Sequence, residues 1–77
     1  MAEHDDIAAA SLRAAVTAAG SQSALADVCG CTQGAVWQML NKQRPRLSVQ
    51  YVLKVESALN IPRHMLRPDI YPLAAAA

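Results

Sequence analysis

Gly30 restricts the possible folds of this 77-residue chain more than any other position. It stands between two short segments, each with apolar residues at helical spacing. Ala24, Leu25 and Val28 form the stripe before it. Val36, Met39 and Leu40, at i, i+3 and i+4, form the stripe after it. Ser21 and Thr32 are good N-caps, their side-chain oxygens suited to the free amides of a first helical turn. The sequence therefore predicts a second helix from Ser21 to about Val28 and a third from Thr32 to about Lys42. Cys29-Gly30-Cys31 forms the tight connection, with Gly30 at positive φ. Ala26, four residues before Gly30, is small where the two helices would cross, and Val36, six residues after it, would pack back under Ala26.

The rest of the chain also reads as helical. Asp5 or Asp6 caps a first helix reaching Ala19, with Leu12, Val16 and Ala19 one turn apart and Ala8 or Ala9 a turn earlier. Gly20 ends it. Pro45 interrupts a basic loop, Gln43 to Leu47. Ser48 is expected to cap a fourth helix reaching Leu59 or Asn60. Val52, Val55 and Leu59 carry its stripe, and Val49, Leu53 and Ala58 broaden it. Pro62 suits the first turn of a short fifth helix, Pro62 to Leu66. Pro68 and Pro72 hold residues 67–72 extended. Aromatics are only 4% of the chain and Phe is absent, so the core must come from Ala, Val, Leu, Ile and Met. Such a core suits close-packed short helices. The expected architecture is all-α, five short helices in one small domain over residues 1–72, with 73–77 a frayed or appended tail. Burial in so small a domain is modest, so its stability should be marginal.

Net charge is only +1 and gives no sign of a polyanionic partner, but its distribution does. Residues 1–31 carry Glu3, Asp5, Asp6 and Asp27 against Arg13. Residues 32–77 carry Lys42, Arg44, Arg46, Lys54, Arg63 and Arg67 against Glu56 and Asp69. Lys42, Arg44 and Arg46 fall within five residues. That cluster is either a solvated loop or an electrostatic footprint for phosphates. The outer face of the third helix, Gln33, Gly34, Trp37, Gln38 and Asn41, is polar yet uncharged. Ordinary solvated helix faces are charged.

The segment Gln22-Ser-Ala-Leu-Ala26-Asp-Val-Cys-Gly30-Cys-Thr-Gln-Gly-Ala-Val36-Trp-Gln-Met39-Leu-Asn41 resembles the helix-turn-helix of Cro and repressor proteins, within the lambda-repressor-like folds. The run Gly20 to Ala26, the stretch Ala35-Val-Trp-Gln and the ending Arg67-Pro-Asp-Ile-Tyr-Pro72 resemble the YdaS-type branch of Cro-like phage and prophage regulators. Together these cover most of residues 9–72. Met39 departs from relatives that carry a second aromatic there, a change in packing more than in function. The resemblance implies a sequence-specific transcriptional repressor on double-stranded operator DNA, binding as a homodimer. An antitoxin-type module, with a cognate toxin or phage regulator as partner, is the alternative.

On that reading the third helix enters the major groove. Gln33, Gly34, Trp37, Gln38 and Asn41 face the bases, since Gln pairs bidentately with adenine and glycine permits close approach. Trp37 stacks on a sugar or thymine methyl, folds back over the basic loop, or packs at a dimer contact. Gln22 reaches a phosphate at the start of the second helix, assisted by Ser21 and Ser23 unless these only cap and face solvent. Thr32 and the helix amides beside it hold another phosphate. Lys42, Arg44 and Arg46 straddle the backbone, which positions a protein without reading sequence. Glu56 and Arg67 pair to dock the tail, with Ile70 and Tyr71 as apolar anchors. The dimer surface lies on the exposed side of the fourth helix or after Leu66, where Ile61, Met65, Ile70 and Tyr71 are apolar.

Other classes find little support. Cys29 and Cys31, with only His4 and His64 elsewhere, lack the four spaced ligands of a structural zinc site and read as small buried hydrophobes. No cofactor is expected. No nucleophile–base pair, carboxylate pair or phosphate-cradling glycine loop marks an enzyme. Ile7 to Gly20 is interrupted by Arg13 and too short to span a bilayer, and the first residues are acidic, unlike a signal peptide. The expectation is a cytoplasmic protein with reduced thiols.

Overall fold

The computed structural model of the chain describes residues 2–72, and within them it is all-helical. The helices are α1 (Ala2–Ala19), α2 (Gln22–Cys29), α3 (Gln33–Leu40), α4 (Val52–Leu59) and α5 (Arg63–Leu66), with a 3-10 turn over Val49–Tyr51 leading into α4. The frayed or appended tail expected at 73–77 lies outside the described residues.

The expected punctuation builds the centre of the fold. Ser21 is extended and its hydroxyl accepts the Ala24 amide at 3.0 Å. Thr32 does the same for the Ala35 amide at 3.1 Å. Each such cap contributes about 1 kcal/mol. Gly30 lies in the left-handed region at φ 75°, and the Cys31 amide closes the turn on the Ala26 carbonyl at 2.9 Å. Leu25, Ala26, Cys29, Val36 and Met39 then face one core with Leu12, Ala15, Leu47, Val52, Val55 and Leu66. Leu25 and Val36 are wholly buried, each worth about 1.5–3 kcal/mol relative to exposure. Thus α2 and α3 form a helix-turn-helix on a platform of α1, α4 and α5.

Several boundaries differ from the sequence reading, each for a local reason. Asp5 and Asp6 lie inside α1, because nothing in Ala2–His4 breaks a helix, and Asp5 instead faces Arg44 at 3.8 Å. α3 ends at Leu40, where the Asn41 side-chain amide donates to the Trp37 carbonyl at 2.9 Å. Ser48 makes no side-chain cap; its amide and hydroxyl both reach the Met39 sulphur, at 3.3 and 3.4 Å. Only Val52 and Val55 of the fourth stripe are buried. Leu59 is half-buried, while Val49, Leu53 and Ala58 face outward. Pro62 occupies the N-cap of α5 and not its first turn.

The tail is folded, not extended. The Ile70 and Tyr71 amides both donate to the Arg67 carbonyl, at 3.1 and 2.8 Å. The expected Glu56–Arg67 pair does not form. Glu56 accepts the Arg63 amide at 2.9 Å and pairs with its guanidinium, across the α4–α5 junction. Arg67 is nine-tenths buried and donates to the Leu47 carbonyl at 3.0 Å and to both oxygens of Asp69. Tyr71 anchors the tail, half-buried beneath the Arg63 guanidinium, but Ile70 is exposed.

Candidate nucleic-acid interface

The residues singled out on α2, α3 and the loop after them are exposed, except for the half-buried Gln22 and Arg46. Gln33, Gly34, Trp37, Gln38 and Asn41 are all exposed, and Val36 and Met39 hold the opposite face of α3 in the core. An added Cβ at Gly34 would meet only the Thr32 hydroxyl, at 3.9 Å, so the helix presents bare backbone to the outside there. Trp37 is 53% exposed, so a large part of its ring is open to solvent.

The starts of α2 and α3 are tied together by their side chains. The Gln33 amide nitrogen donates to the Gln22 side-chain carbonyl at 2.8 Å. This bond restrains Gln33 and leaves its own carbonyl and its second N–H free. Those are the acceptor and donor that one adenine edge requires. Asn41 is less free, since its amide already serves the Trp37 carbonyl. The Ser21 and Thr32 hydroxyls are committed to capping, while Ser23 is simply exposed.

Beside this face lies a groove of about 640 Å³ lined by Lys42, Gln43, Arg44, Arg46, Ser48, Val49, Gln50 and Arg67. Four of those side chains are cations. The carboxylates near it sit at its edge: Asp5 faces Arg44 and Asp69 faces Arg46, each at 3.8 Å. Both contacts are long and partly solvated, so they hold the arginines weakly. Arg67 is different. Its guanidinium is fixed by Leu47 and Asp69 and holds the Asp69 carboxyl below the usual carboxylate range, chiefly through hydrogen bonding. The sequence pointed to the three loop cations but not to Ser48, Gln50 or Arg67 as neighbours. Only the fold of the tail brings Arg67 to Leu47.

Among the described residues no group of three or more His, Cys, Asp or Glu is placed to hold a metal ion. Cys29 is buried as expected, whereas Cys31 is only half-buried. No described helix is long and apolar enough to cross a membrane.

One comparison with known proteins bears on this architecture. Neither a curated protein nor a solved structure matches the chain. A family model described as bacterial toxin YdaS matches residues 12–74, which include the whole helix-turn-helix, the basic loop and the tail turn. The chain belongs to the YdaS family, a prophage-associated family of helix-turn-helix type.

Proposed function

We propose that this protein is a sequence-specific DNA-binding regulator, a Cro-like repressor that sets α3 in the major groove of operator DNA. The observation that carries this is the uncharged, amide-rich outer face of α3, exposed beside a groove lined by cations. Gln33, held by Gln22, reads a base, with Gln38 and Asn41 next along the face and Gly34 allowing close approach. Lys42, Arg44 and Arg46 hold the phosphate backbone. Gln33→Ala is expected to lose about 1–3 kcal/mol of discrimination at one base position while leaving the fold intact. Binding curves on an operator selected from random duplexes, and on its single-base variants, measure this. Equal weakening on every variant means that Gln33 reads no base.

The loop cations predict a different signature. Lys42→Ala, Arg44→Ala and Arg46→Ala should weaken operator and random DNA alike, each flattening the log–log salt slope by about 0.9 per lost phosphate contact. Unchanged slopes in all three reject the phosphate role.

One short recognition helix reads too few base pairs to find a single site in a genome. The protein therefore binds as a homodimer, with two recognition helices ~34 Å apart on a near-palindromic site. Sedimentation with a labelled palindromic duplex is expected to give two chains per site. One chain per site at excess protein overturns the dimer.

The family description as a toxin, and Trp37 standing exposed amid the amide face, favour one second reading: a module that acts mainly on another protein, toxin or antitoxin, with DNA binding secondary. A salt-sensitive gel shift supports the regulator. Stable co-purification with a second small protein, without such a shift, supports the module.

A further inference from the structure

Cys29 and Cys31 flank the glycine that turns α2 into α3. Their surroundings differ. Cys29 is 1% exposed within the core, and Cys31 is half-buried at its edge. Gly30, at φ 75°, turns the chain between them, and both cysteines pack against the same core, Cys29 within it and Cys31 at its margin. Lys54 stands over the same turn from α4, its ammonium 3.4 Å from the Cys29 carbonyl. We propose that Cys29 and Cys31 form a thiol-modification site, a vicinal dithiol that closes to an intramolecular disulfide across Gly30 when it meets a small-molecule disulfide such as oxidised glutathione.

The order of steps follows from the surroundings. Cys29 is pushed up to about 11, first by burial and then by the charge and hydrogen bond of Cys31, so its thiol stays protonated and does not begin the exchange. Cys31 is the accessible partner. Its thiolate attacks one sulphur of the oxidised disulfide, forms a mixed disulfide and releases one thiolate. That step removes the negative charge and the hydrogen bond by which Cys31 raised Cys29. The Lys54 ammonium, which pulls Cys29 downward, then acts against burial alone. Cys29 gives its proton to water, attacks the Cys31 sulphur and expels the second thiolate. The protein loses two electrons and two protons, and the small disulfide becomes two thiols.

Closure has a structural consequence. The Cys29 sulphur must leave the core to reach Cys31, and the turn that aims α3 against α2 must distort. In a reducing cytoplasm such a bond is transient and suits redox sensing. The site thus gives the α2–α3 turn an oxidised state of lower stability.

The test needs no DNA, so it stands apart from the regulator reading. The purified chain is incubated with oxidised glutathione, quenched with an alkylating agent and cut with trypsin. The peptide following Arg13 and ending at Lys42 carries both cysteines. The expected product has neither alkyl group nor glutathione and is lighter by two hydrogens. Its parent protein should melt about 4–8 °C lower, and reduction should restore it. Cys29→Ala is expected to stop at a mixed disulfide on Cys31. Cys31→Ser, at the half-buried position, is expected to keep the fold and to react at least an order of magnitude more slowly. A wild-type product that stops at the mixed disulfide overturns the proposal, as does a Cys31→Ser protein that reacts as fast as wild type. An oxidised protein that melts like the reduced one overturns the coupling to the turn.

Discussion

Gly30→Val is expected to destabilise the protein by about 2 kcal/mol, the cost of forcing a β-branched residue into the left-handed region. The cause is backbone strain and not a lack of space. A Cβ at Gly30 would meet only the Lys54 ammonium, at 3.5 Å, an ordinary contact with the mobile end of a side chain. The φ of 75° is the obstacle. If the substituted valine relaxed to negative φ, the Cys31 amide would leave the Ala26 carbonyl and the crossing of α2 with α3 would open. A chain of this length has about 4–12 kcal/mol of stability in all, so the loss is a large share. Thermal melts should show a drop of about 8–16 °C. Gly30→Asn is the control, since Asn tolerates this region and Asn60 already adopts φ 59° at the end of α4. Its melting temperature should fall much less. If Gly30→Val melts with the parent, the turn does not need its left-handed residue.

The same positions explain how much of the fold was legible. Caps, turn glycines and apolar spacing act locally, so Ser21, Gly30, Thr32 and Val36 could be assigned from their neighbours alone. What escaped depends on contacts distant in sequence. Ser48 carries the N-cap signature, but Met39 lies close enough to take its amide and hydroxyl through sulphur. Val49 and Leu53 fit a broad helical stripe, but Val49 falls in the 3-10 turn before α4, and Leu53 lies off the face that Val52 and Val55 bury. Asp5 looks like a cap only while the helical residues before it go unnoticed.

The site divides along the same line. That the outer face of α3 is exposed follows largely from its period: once Val36 and Met39 are inside, Gly34, Trp37, Gln38 and Asn41 must be outside, whereas Gln33, three residues before Val36, is exposed because it opens the helix. The bond between Gln22 and Gln33 joins two helices across the turn, and no local rule predicts it. Likewise the charge cluster Lys42 to Arg46 was visible as composition, while its groove needs Arg67 to be brought against Leu47.

Arg67 is therefore the second position where one substitution should have a large effect. Arg67→Met keeps most of the buried stem and removes three hydrogen bonds. The Leu47 carbonyl, in a fully buried residue, loses its donor, and an unsatisfied buried acceptor costs about 1–3 kcal/mol. The Asp69 carboxylate adds less, because its side chain is 38% exposed and water can replace the guanidinium. The expected loss is about 2–3 kcal/mol, read from urea melts. Acid should narrow the gap between mutant and parent. Asp69 has its folded pKa lowered from 3.8, mainly by the Arg67 hydrogen bonds. Its share of stability is present above that ordinary value and is lost as pH falls through the lowered one. The parent should lose stability there faster than Arg67→Met. The proposed DNA binding supplies an independent reading of the same contact. Without Arg67, the remaining cation near Asp69 is Arg46, now 3.8 Å away. Drawing Arg46 onto that carboxylate withdraws one groove cation from phosphate. The salt slope of Arg67→Met should then approach that of Arg46→Ala, although Arg67 itself is almost wholly buried. A mutant that loses stability but keeps the parent's slope shows that Arg67 supports the core without positioning the groove.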